Sequence, residues 1–323
     1  MLSSSFVDAA APLAPDTLAC IAFGANAAPD DDPRRVQVAL APLAGAPPCE
    51  LWRAAGPVEH GRDGGFGWAR SAEVLFGQLS FDGAGAGDGA FAAAVQDAYA
   101  RIVAFCEKQG FAHLLRCWNY FDDIHAGAGD AERYRQFCVG RHRALALLSG
   151  FEQRLPAATV IGSRAPGALV YFLAANAAGL QVENPRQVPA YRYPRSYSPL
   201  PPSFSRALLK RWNGRGGGDR SECLFVSGTA SVVGHESHHP DNTAAQLRET
   251  LANLRALLAA ADPDGGAPWR AASLKAYLRR REDLPAVRQA LARAFGAEAP
   301  LLVLEGDICR TDLSVEIEGL YVR

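Results

Sequence analysis

Motifs that mark several common enzyme classes are missing from this 323-residue sequence. It has no GxGxxG run, no P-loop and no GxSxG. These motifs carry dinucleotide binding, phosphate binding and the hydrolase nucleophile, so Rossmann dehydrogenases, P-loop NTPases and α/β-hydrolases lose their main support. The glycine-rich run at 214–218 follows no predicted strand and precedes no helix, and we expect a surface loop there.

Paired cysteines and long apolar runs are also absent. The seven cysteines are odd in number and form no CxxC pair, which argues against a disulfide scaffold or a structural zinc site. The longest uncharged apolar stretch, 165–182, contains Pro166 and Asn176 and is too polar to span a membrane. The first residues show no basic segment followed by an apolar one, as a signal peptide requires. We therefore expect a cytoplasmic protein.

The chain has little net charge, and almost no lysine. The net charge is −1, and apart from Lys108, Lys210 and Lys275 the basic residues are arginines. No field of one sign favours nucleic acid or an anionic membrane as a partner. Residues 1–150 carry 12 basic and 17 acidic side chains, whereas residues 151–323 carry 21 and 17. An anionic ligand is thus expected in the second half.

What is present is a hydrophobic content of 49%, enough for a sizeable core, and a repeated pattern of elements. Helical spacing of apolar residues predicts four helices, and short apolar runs between turn signals predict strands. Strand, strand, helix, strand, helix, strand describes the second half, and a weaker version occurs in the first. We predict an α+β (α/β) protein of two related units with mixed sheets, divided near residue 150 into 1–150 and 151–323, the latter carrying most of the active site.

Arginines occur beside tyrosines in three places. Tyr134 and Arg141 lie seven residues apart, two helical turns, and can share a face. The segment YRYPRSY contains Arg192 and Arg195, and Arg279 ends a predicted strand. Guanidinium groups with phenol neighbours suit carboxylate ligands. For any single arginine, surface ion pairing is the competing interpretation.

Two further segments contain reactive side chains. In GDICRTDLSVEIEG, Cys309 and Glu316 stand in apolar context, so Glu316 is either a buried proton donor with a raised pKa or an edge-strand carboxylate paired with an arginine. In GHESHHPD, histidines and acids could bind a metal, but the segment lies at a predicted turn before a helix. Turn structure, with Asp241 or Asn242 as the helix N-cap, is the favoured interpretation there.

Taken together, four segments resemble the chorismatases. They are WNYFDDIH, VENPRQVPAYRYPRSYSPLPPSFSRA, FVSGTASVVGHESHHPDNTAAQLRETLANLRALL and LEGDICRTDLSVEIEG, which occur in the expected order over most of residues 110–323. The resemblance implies tandem units of the YjgF/RidA fold, with helices packed on one face of each sheet. It also implies cleavage of chorismate with release of pyruvate and without a metal or organic cofactor.

The same resemblance implies roles for individual residues. Glu316 matches the family's catalytic glutamate, which protonates the enol ether of chorismate. Cys309 matches a cysteine found in the members that form 3-hydroxybenzoate through an arene-oxide-like intermediate; one branch also forms 4-hydroxybenzoate and serves pigment biosynthesis. The residues implied in substrate binding are Tyr134, Arg141, Arg192 or Arg195, Ala230 and Arg279.

Two alternatives remain open at this stage. A hydrolytic chorismatase would form a dihydroxycyclohexadiene carboxylate and pyruvate with the same residues except for the role of Cys309. A non-catalytic RidA-like metabolite-binding protein would have Glu316 exposed or ion-paired. We expect a monomer, because two tandem units within one chain can replace the contacts that smaller relatives make by trimerising.

Overall fold

The structure, a computed structural model, describes residues 2–8, 12–24, 31–83, 89–212 and 221–323. The glycine-rich run at 214–218 therefore lies outside the described residues. Helices α1 to α4 span Ala90–Lys108, Arg133–Leu145, Thr243–Ala260 and Leu284–Phe295. None of the helices in the described ranges is long and apolar enough to cross a membrane.

Short strands make up most of the remaining regular structure. The first five are β1 (Ser3–Val7), β2 (Thr17–Phe23), β3 (Arg35–Val38), β4 (Pro42–Gly45) and β5 (Cys49–Arg53). The next six are β6 (Glu59–Asp63), β7 (Phe66–Arg70), β8 (Val74–Phe81), β9 (His113–Phe121), β10 (Ala157–Gly162) and β11 (Ala168–Ala175). The last nine are β12 (Leu180–Val182), β13 (Ala207–Trp212), β14 (Ser221–Ala230), β15 (Val232–Val233), β16 (Glu236–Ser237), β17 (Arg270–Leu278), β18 (Leu301–Glu305), β19 (Asp307–Ile308) and β20 (Val315–Val322).

Two seven-stranded sheets share one topology. The first large sheet has the order β19-β10-β9-β11-β8-β7-β6, and the second has β12-β13-β14-β20-β17-β18-β4. Without the edge strands β19 and β4, each contains three consecutive strands, a helix, a strand, a second helix and two strands. In each sheet, a helix connects two parallel strands, β9 and β10 in the first and β17 and β18 in the second. The final strand, β11 or β20, pairs antiparallel with the first strand of that pair. The predicted α+β class with two related units and mixed sheets is confirmed.

Strand pairing also shows where the chain changes sheets. Strands β10 and β11 follow residue 150, yet they pair with β9 and β8 of the first large sheet. Apart from the edge strand β4, the second large sheet begins at Leu180. By sheet membership, the expected division near residue 150 thus falls within the first unit, before its last two strands.

Alternation of side chains along the strands produces four layers. In β11, Tyr171 and Leu173 face the core between the two large sheets, whereas Val170 and Phe172 pack under α1 and α2. In β20, Leu320 faces the same central core, and Ile317 packs under α3 and α4. Residues alternate faces along a strand, so each sheet presents one surface to its helices and the other to the opposite sheet. The order of layers is helices, sheet, sheet, helices.

The N-terminal segment adds a third, four-stranded sheet with the order β1-β5-β2-β3. Its apolar residues, among them Leu18, Ile21 and Trp52, join the central core. Its strand β5 also places Glu50 against Lys275 of β17, with 2.5 Å between the carboxylate oxygen and Nζ. The N-terminal sheet is therefore bound to the central core by apolar packing and by a buried ion pair.

Helix ends follow the sequence signals. Gly110, just after α1, has φ +82°, a conformation that glycine adopts without strain. Before α3, the Asn242 side chain accepts a hydrogen bond from the Ala245 backbone N–H at 3.0 Å. Of the two expected N-caps, Asn242 is the one the structure uses.

Candidate active site

A cavity lies where helix α2, strand β10 and strand β20 meet. About 440 Å³ of space inside it is free of protein atoms, part of it open to solvent. Apolar walls come from Phe137, Val160 and Phe204, and Gly228 in β14 lies at its base. Four of the residues predicted from the sequence line it together, although they are distant in the chain: Tyr134, Arg141, Cys309 and Glu316.

Glu316 faces this cavity from β20 and is only 4% exposed. Burial, and to a smaller extent the charge of Glu318, raise the pKa of its carboxyl group to about 8, although Arg116 acts in the opposite direction. Nothing in the described part of the chain hydrogen-bonds this carboxyl group. A carboxylic acid that is protonated at neutral pH and open toward a cavity is suited to donate a proton.

Gly228 leaves room for this carboxyl group. A Cβ atom at Gly228 would lie 2.0 Å from Glu316 Oε1 and 3.3 Å from Thr159 Oγ1. The pairing of β14 with β20 shifts register between Val226 and Thr229, so Gly228 sits in a bulge beside Glu316. Any larger residue there would displace the Glu316 carboxyl group.

Cys309 follows β19 directly and borders the same cavity. Burial, with Glu316 as the next cause, raises the pKa of its thiol to about 12. The side chain is therefore a neutral thiol at physiological pH and not a nucleophilic thiolate. In this state it is a small apolar group with a weak S–H donor.

Arg141 supplies positive charge to the cavity from α2. Its side chain is 1% exposed and its guanidinium stacks over Tyr99 at 4.9 Å from the ring centre. Two of its nitrogen atoms, Nε and Nη2, have no hydrogen-bond partner in the described structure. Buried donors are normally paired, so an arginine left in this state is prepared for an anionic ligand such as a carboxylate.

A vestibule continues outward from the cavity and shares Tyr134, Pro202 and Cys309 with it. Two arginines line it: Arg135, which pairs with Glu132, and Arg310. The Arg310 guanidinium lies 4.0 Å from the Tyr197 ring and 5.2 Å from that of Tyr193. Arg310 Nη1 donates to the His235 carbonyl at 2.9 Å and to Ser237 Oγ at 3.1 Å. No carboxylate of the described residues forms an ion pair with it.

The sequence analysis missed Arg310. Two features of the sequence could have indicated it. Arg310 directly follows Cys309, and the segment YRYPRSY contains Tyr193 and Tyr197, whose rings lie under its guanidinium. Tyr193 and Tyr197 of that segment thus face the vestibule, whereas its arginines do not.

Arg192 and Arg195 lie on the surface. Arg192 is 3.7 Å from a Glu152 carboxylate oxygen, and Arg195 is 3.2 Å from one of Asp130. Their side chains are 65% and 71% exposed, and neither lines the cavity or the vestibule. For this pair the geometry matches the interpretation of surface ion pairing.

Arg279 holds the loop that carries Cys309 and does not line the cavity. It donates to the carbonyl groups of Leu313 at 2.9 Å, Ile308 at 2.8 Å and Arg310 at 2.8 Å, and it pairs with Asp307 at 3.0 Å. These bonds fix both ends of the loop, so Arg279 acts on the site through backbone position.

Ala230 stands opposite Glu316 in the register of β14 and β20. It is 6% exposed, packs in the central core and is not among the cavity-lining residues. Its influence on the cavity passes through the backbone next to Glu316.

The GHESHHPD segment forms the β15–β16 hairpin and the turn before α3. His235, Glu236 and His239 have the spacing of an HExxH motif, which binds zinc when a helix places both imidazoles on one face. Here the segment is not helical, and His239 has φ +59°. Within the described ranges, no group of three or more histidine, cysteine, aspartate or glutamate side chains is arranged to hold a metal ion. The His235 carbonyl instead supports Arg310.

Comparison with known proteins agrees with this geometry. Residues 50–174 match the family model described as chorismatase FkbO/Hyg5-like, N-terminal. A chorismatase of Streptomyces rapamycinicus is 40% identical over 279 residues, 84% of this chain and 81% of the relative. A 3-hydroxybenzoate synthase of Streptomyces hygroscopicus is 38% identical over 294 residues, 88% of this chain and 84% of the relative.

A solved structure gives the same answer at the level of the fold. The crystal structure of a chorismatase superposes with a TM-score of 0.84 at 31% identity, covering 99% of this chain and 98% of the other. Matches of this identity and coverage extend over both sheets and over all the elements that form the cavity. The chain belongs to the chorismatase family of enzymes.

Proposed function

We propose that the chain converts chorismate to 3-hydroxybenzoate and pyruvate. The observation that carries this proposal is the meeting of Glu316, Cys309 and Arg141 in one cavity, the first as a protonated acid and the last with unpaired donors. The name of the Streptomyces hygroscopicus relative, 3-hydroxybenzoate synthase, supports it.

Substrate binding uses the two cations near the cavity. Chorismate carries a ring carboxylate and a second carboxylate on its enolpyruvyl ether, so two separated positive groups are needed. Arg141 binds one from the cavity wall, and Arg310 binds the other from the vestibule, where it forms no ion pair with a described acid. Tyr134 borders both spaces and orients the ligand between them.

The chemistry begins with proton transfer. Glu316 protonates the methylene carbon of the enolpyruvyl group, which turns the ether oxygen into a good leaving group. The oxygen of the neighbouring ring hydroxyl then forms a bond to the ring carbon that carries the ether. The bond between that carbon and the ether oxygen breaks in the same step, and pyruvate leaves. The hydroxyl gives up its proton in this step, which balances the proton taken by carbon. Opening of the resulting arene oxide, with loss of a ring proton and protonation of the oxygen, forms the aromatic product.

Cys309 selects this route over hydrolysis in our proposal. As a neutral, largely apolar side chain beside Glu316, it occupies space in which an attacking water would otherwise stand. One family branch also forms 4-hydroxybenzoate, and we propose it as a second product to be measured.

The proposed reaction needs neither a metal nor a second subunit. Substrate binding by the two arginines and proton transfer from Glu316 require no metal, and a monomer suffices because one chain supplies the whole cavity.

The first experiment is incubation of the purified chain with chorismate, without added cofactor. Chromatography resolves 3-hydroxybenzoate, 4-hydroxybenzoate and the dihydroxycyclohexadiene carboxylate, and pyruvate is measured separately. Glu316→Gln removes the proton donor, and we expect kcat to fall by about 100-fold or more. Cys309→Ala makes space for water, and we expect aromatic product to decrease and the dihydrodiol acid to appear.

Matched substitutions separate these effects from general damage. Glu282→Gln changes an exposed glutamate, and Cys106→Ala changes a buried cysteine outside the cavity; both should retain the wild-type products. A wild-type enzyme that releases only the dihydrodiol acid and pyruvate would establish a hydrolase. Absence of pyruvate from folded protein would overturn the enzyme reaction and leave a metabolite-binding protein, a role that the buried, unpaired Glu316 does not favour.

A further inference from the structure

Behind the cavity, between the two large sheets, lies a cluster of four buried charged side chains. They are Glu50 of β5, Arg116 of β9, Lys275 of β17 and Glu318 of β20. Each of the four side chains is at most 2% exposed. Removing charges from water costs several kcal/mol per ion unless partners compensate, so such a cluster in a central core calls for an explanation.

Glu318 has the most complete set of partners. Its Oε1 atom accepts hydrogen bonds from Trp118 Nε1 at 2.8 Å and from the Tyr277 hydroxyl at 3.0 Å, and Lys275 Nζ lies 3.0 Å away. Its Oε2 atom accepts from the Thr159 hydroxyl and from Arg116 Nη2. Burial alone raises the pKa of Glu318, but Lys275 and Arg116 lower it more, and the net direction is downward. Glu318 is therefore a carboxylate at neutral pH.

The cluster touches the cavity through β20 and through Thr159. Glu316 and Glu318 are two residues apart on one strand, so they project from the same face. On β17, Tyr277 and Lys275 are their respective partners in the register. Thr159 lines the cavity, and its Oγ1 atom accepts the Gly228 N–H at 3.1 Å while contacting Glu318.

Most other titratable groups around Glu316 are neutral. Burial raises the pKa of the tyrosines and cysteines that face it from β17, α2 and the β19 loop: Tyr277, Tyr134, Cys138 and Cys309. The charged groups nearby are Arg141 on α2, Arg116 on β9, and Lys275 and Glu318 of the cluster. Glu318 is thus the negative charge next to the proton donor, and the arginines and the lysine act in the opposite direction.

We propose that Glu318 is a positioning residue for the proton donor: its fixed negative charge, held by Arg116 and Lys275, keeps the proton on Glu316 until the substrate takes it. This inference rests on the proposed role of Glu316. The cluster then has a purpose that stability alone does not require, because buried ion pairs contribute little net stability. It keeps Glu318 ionised beside the protonated Glu316. The different surroundings of these two glutamates give them different proton affinities.

The test is the pH dependence of kcat/KM for chorismate in the Glu318→Gln enzyme. The wild-type rate should fall above the pKa of Glu316, and in Glu318→Gln this alkaline limb should move by about one pH unit or more toward lower pH. KM should change little, because Glu318 does not line the cavity. Glu318→Asp, which keeps the charge, should restore the limb. A purely structural role would lower the rate equally at every pH and leave the limb in place, which would overturn the proposal.

Glu50→Gln is the matched control. It removes the same charge from a glutamate that is 2% exposed and bound to the same Lys275, but on another strand and without contact to the cavity. Its limb should stay within about 0.3 pH unit of the wild type, since a charge more distant from Glu316 has less effect on its proton. A shift equal to that of Glu318→Gln would overturn the assignment to Glu318.

Two further measurements keep the result decisive. If Glu318→Gln does not fold, Arg116→Gln removes a cation instead, and the alkaline limb should then move toward higher pH.

Infrared spectroscopy measures the protonation of Glu316 independently of turnover. The band of its protonated carboxyl group is identified as the one that disappears in Glu316→Gln. If that band titrates at lower pH in Glu318→Gln while Glu316→Gln remains active, the positioning role stands and the role of Glu316 as proton donor fails. If the band does not shift, the positioning role fails.

Discussion

Arg141 has the least complete surroundings of any buried charged side chain near the cavity. Two of its donors are unpaired while its guanidinium is held flat against Tyr99. Such a site is completed by a ligand that accepts two hydrogen bonds side by side, as a carboxylate does. Lysine would keep the positive charge but could not donate two parallel hydrogen bonds to one carboxylate, so the two residues are not equivalent here.

For Arg141→Lys we expect KM for chorismate to rise by about 10- to 100-fold, which corresponds to the loss of one hydrogen bond to a charged group. The rate constant kcat should change less, because in the proposed mechanism Arg141 binds the substrate and Glu316 transfers the proton. Steady-state kinetics on both parameters measures this. Arg195→Lys is the control, since Arg195 lies on the surface beside Asp130 and should behave as the wild type. An unchanged KM in Arg141→Lys would remove Arg141 from the substrate site.

At the residue scale, the sequence singled out four residues that line one cavity, Glu316 among them, but it did not reveal which groups bury Glu316. Its neighbours on the strand, Val315 and Ile317, point to the opposite face, under α3 and α4. The residues that bury Glu316 come from α2, β10 and β14, which no local pattern reveals. Arginine partners were hard to predict for a similar reason: a long flexible side chain selects its partner in the folded state.

At the scale of the elements, helix α2 is the support on which Tyr134 and Arg141 are placed. It packs against α1 at Gly140, where a Cβ atom would meet the Ala92 carbonyl oxygen at 2.2 Å and the Val95 Cβ at 2.8 Å. Since backbone cannot move aside as a side-chain end can, the two helices approach this closely only because residue 140 is glycine.

Gly140→Ala should therefore push α2 away from α1. We expect a loss of about 1–3 kcal/mol in the free energy of unfolding, as for overpacked cores, together with a higher KM because Arg141 moves with the helix. Urea denaturation and kinetics on one preparation measure both. Arg143→Ala, an exposed position on the same helix, should stay within about 0.5 kcal/mol of the wild type. A Gly140→Ala enzyme with wild-type stability and KM would contradict this account of the packing.

The elements themselves were largely predictable, whereas their pairing was not. Helical spacing predicted α1 to α4, and the runs ATVIGS and ALVYFLAA became β10 and β11. Both of these strands are almost entirely buried, so their sequences carry no alternation that would show which sheet they join. Pairing with β9 and β8 is decided by contacts far apart in the chain, and the division near residue 150 could not account for it.

At the scale of the whole molecule, the site exists because two similar sheets stack face to face. The first unit contributes α2 and β10, and the second contributes β14, β20 and the loop with Cys309. A single unit would hold only half of the cavity. The N-terminal sheet contributes Glu50 to the charged cluster, so this sheet and the two large ones meet at the ion pairs behind Glu316.

Because Glu316 is buried in this stack, its proton also links stability to pH. Its pKa is about 8 in the folded chain and near the ordinary 4.5 when unfolded. A raised folded pKa gives stability that is fully present below the unfolded value and is lost as pH rises through the folded value. The half-buried His113 and His142 have lowered pKa values, so most of their effect on stability lies below pH 7, and the wild type and Glu316→Gln share it.

We therefore expect the free energy of unfolding of the wild type to fall between pH 7 and pH 8, by at most about 1.4 kcal/mol for one proton per pH unit. Glu316→Gln cannot release a proton, so its stability should change less over the same interval. Urea denaturation at several pH values measures the slope, and the exposed variant Glu282→Gln should follow the wild type. Parallel slopes in wild type and Glu316→Gln would mean that Glu316 is already ionised in the folded protein, and the acid in the cavity would then have to be sought elsewhere.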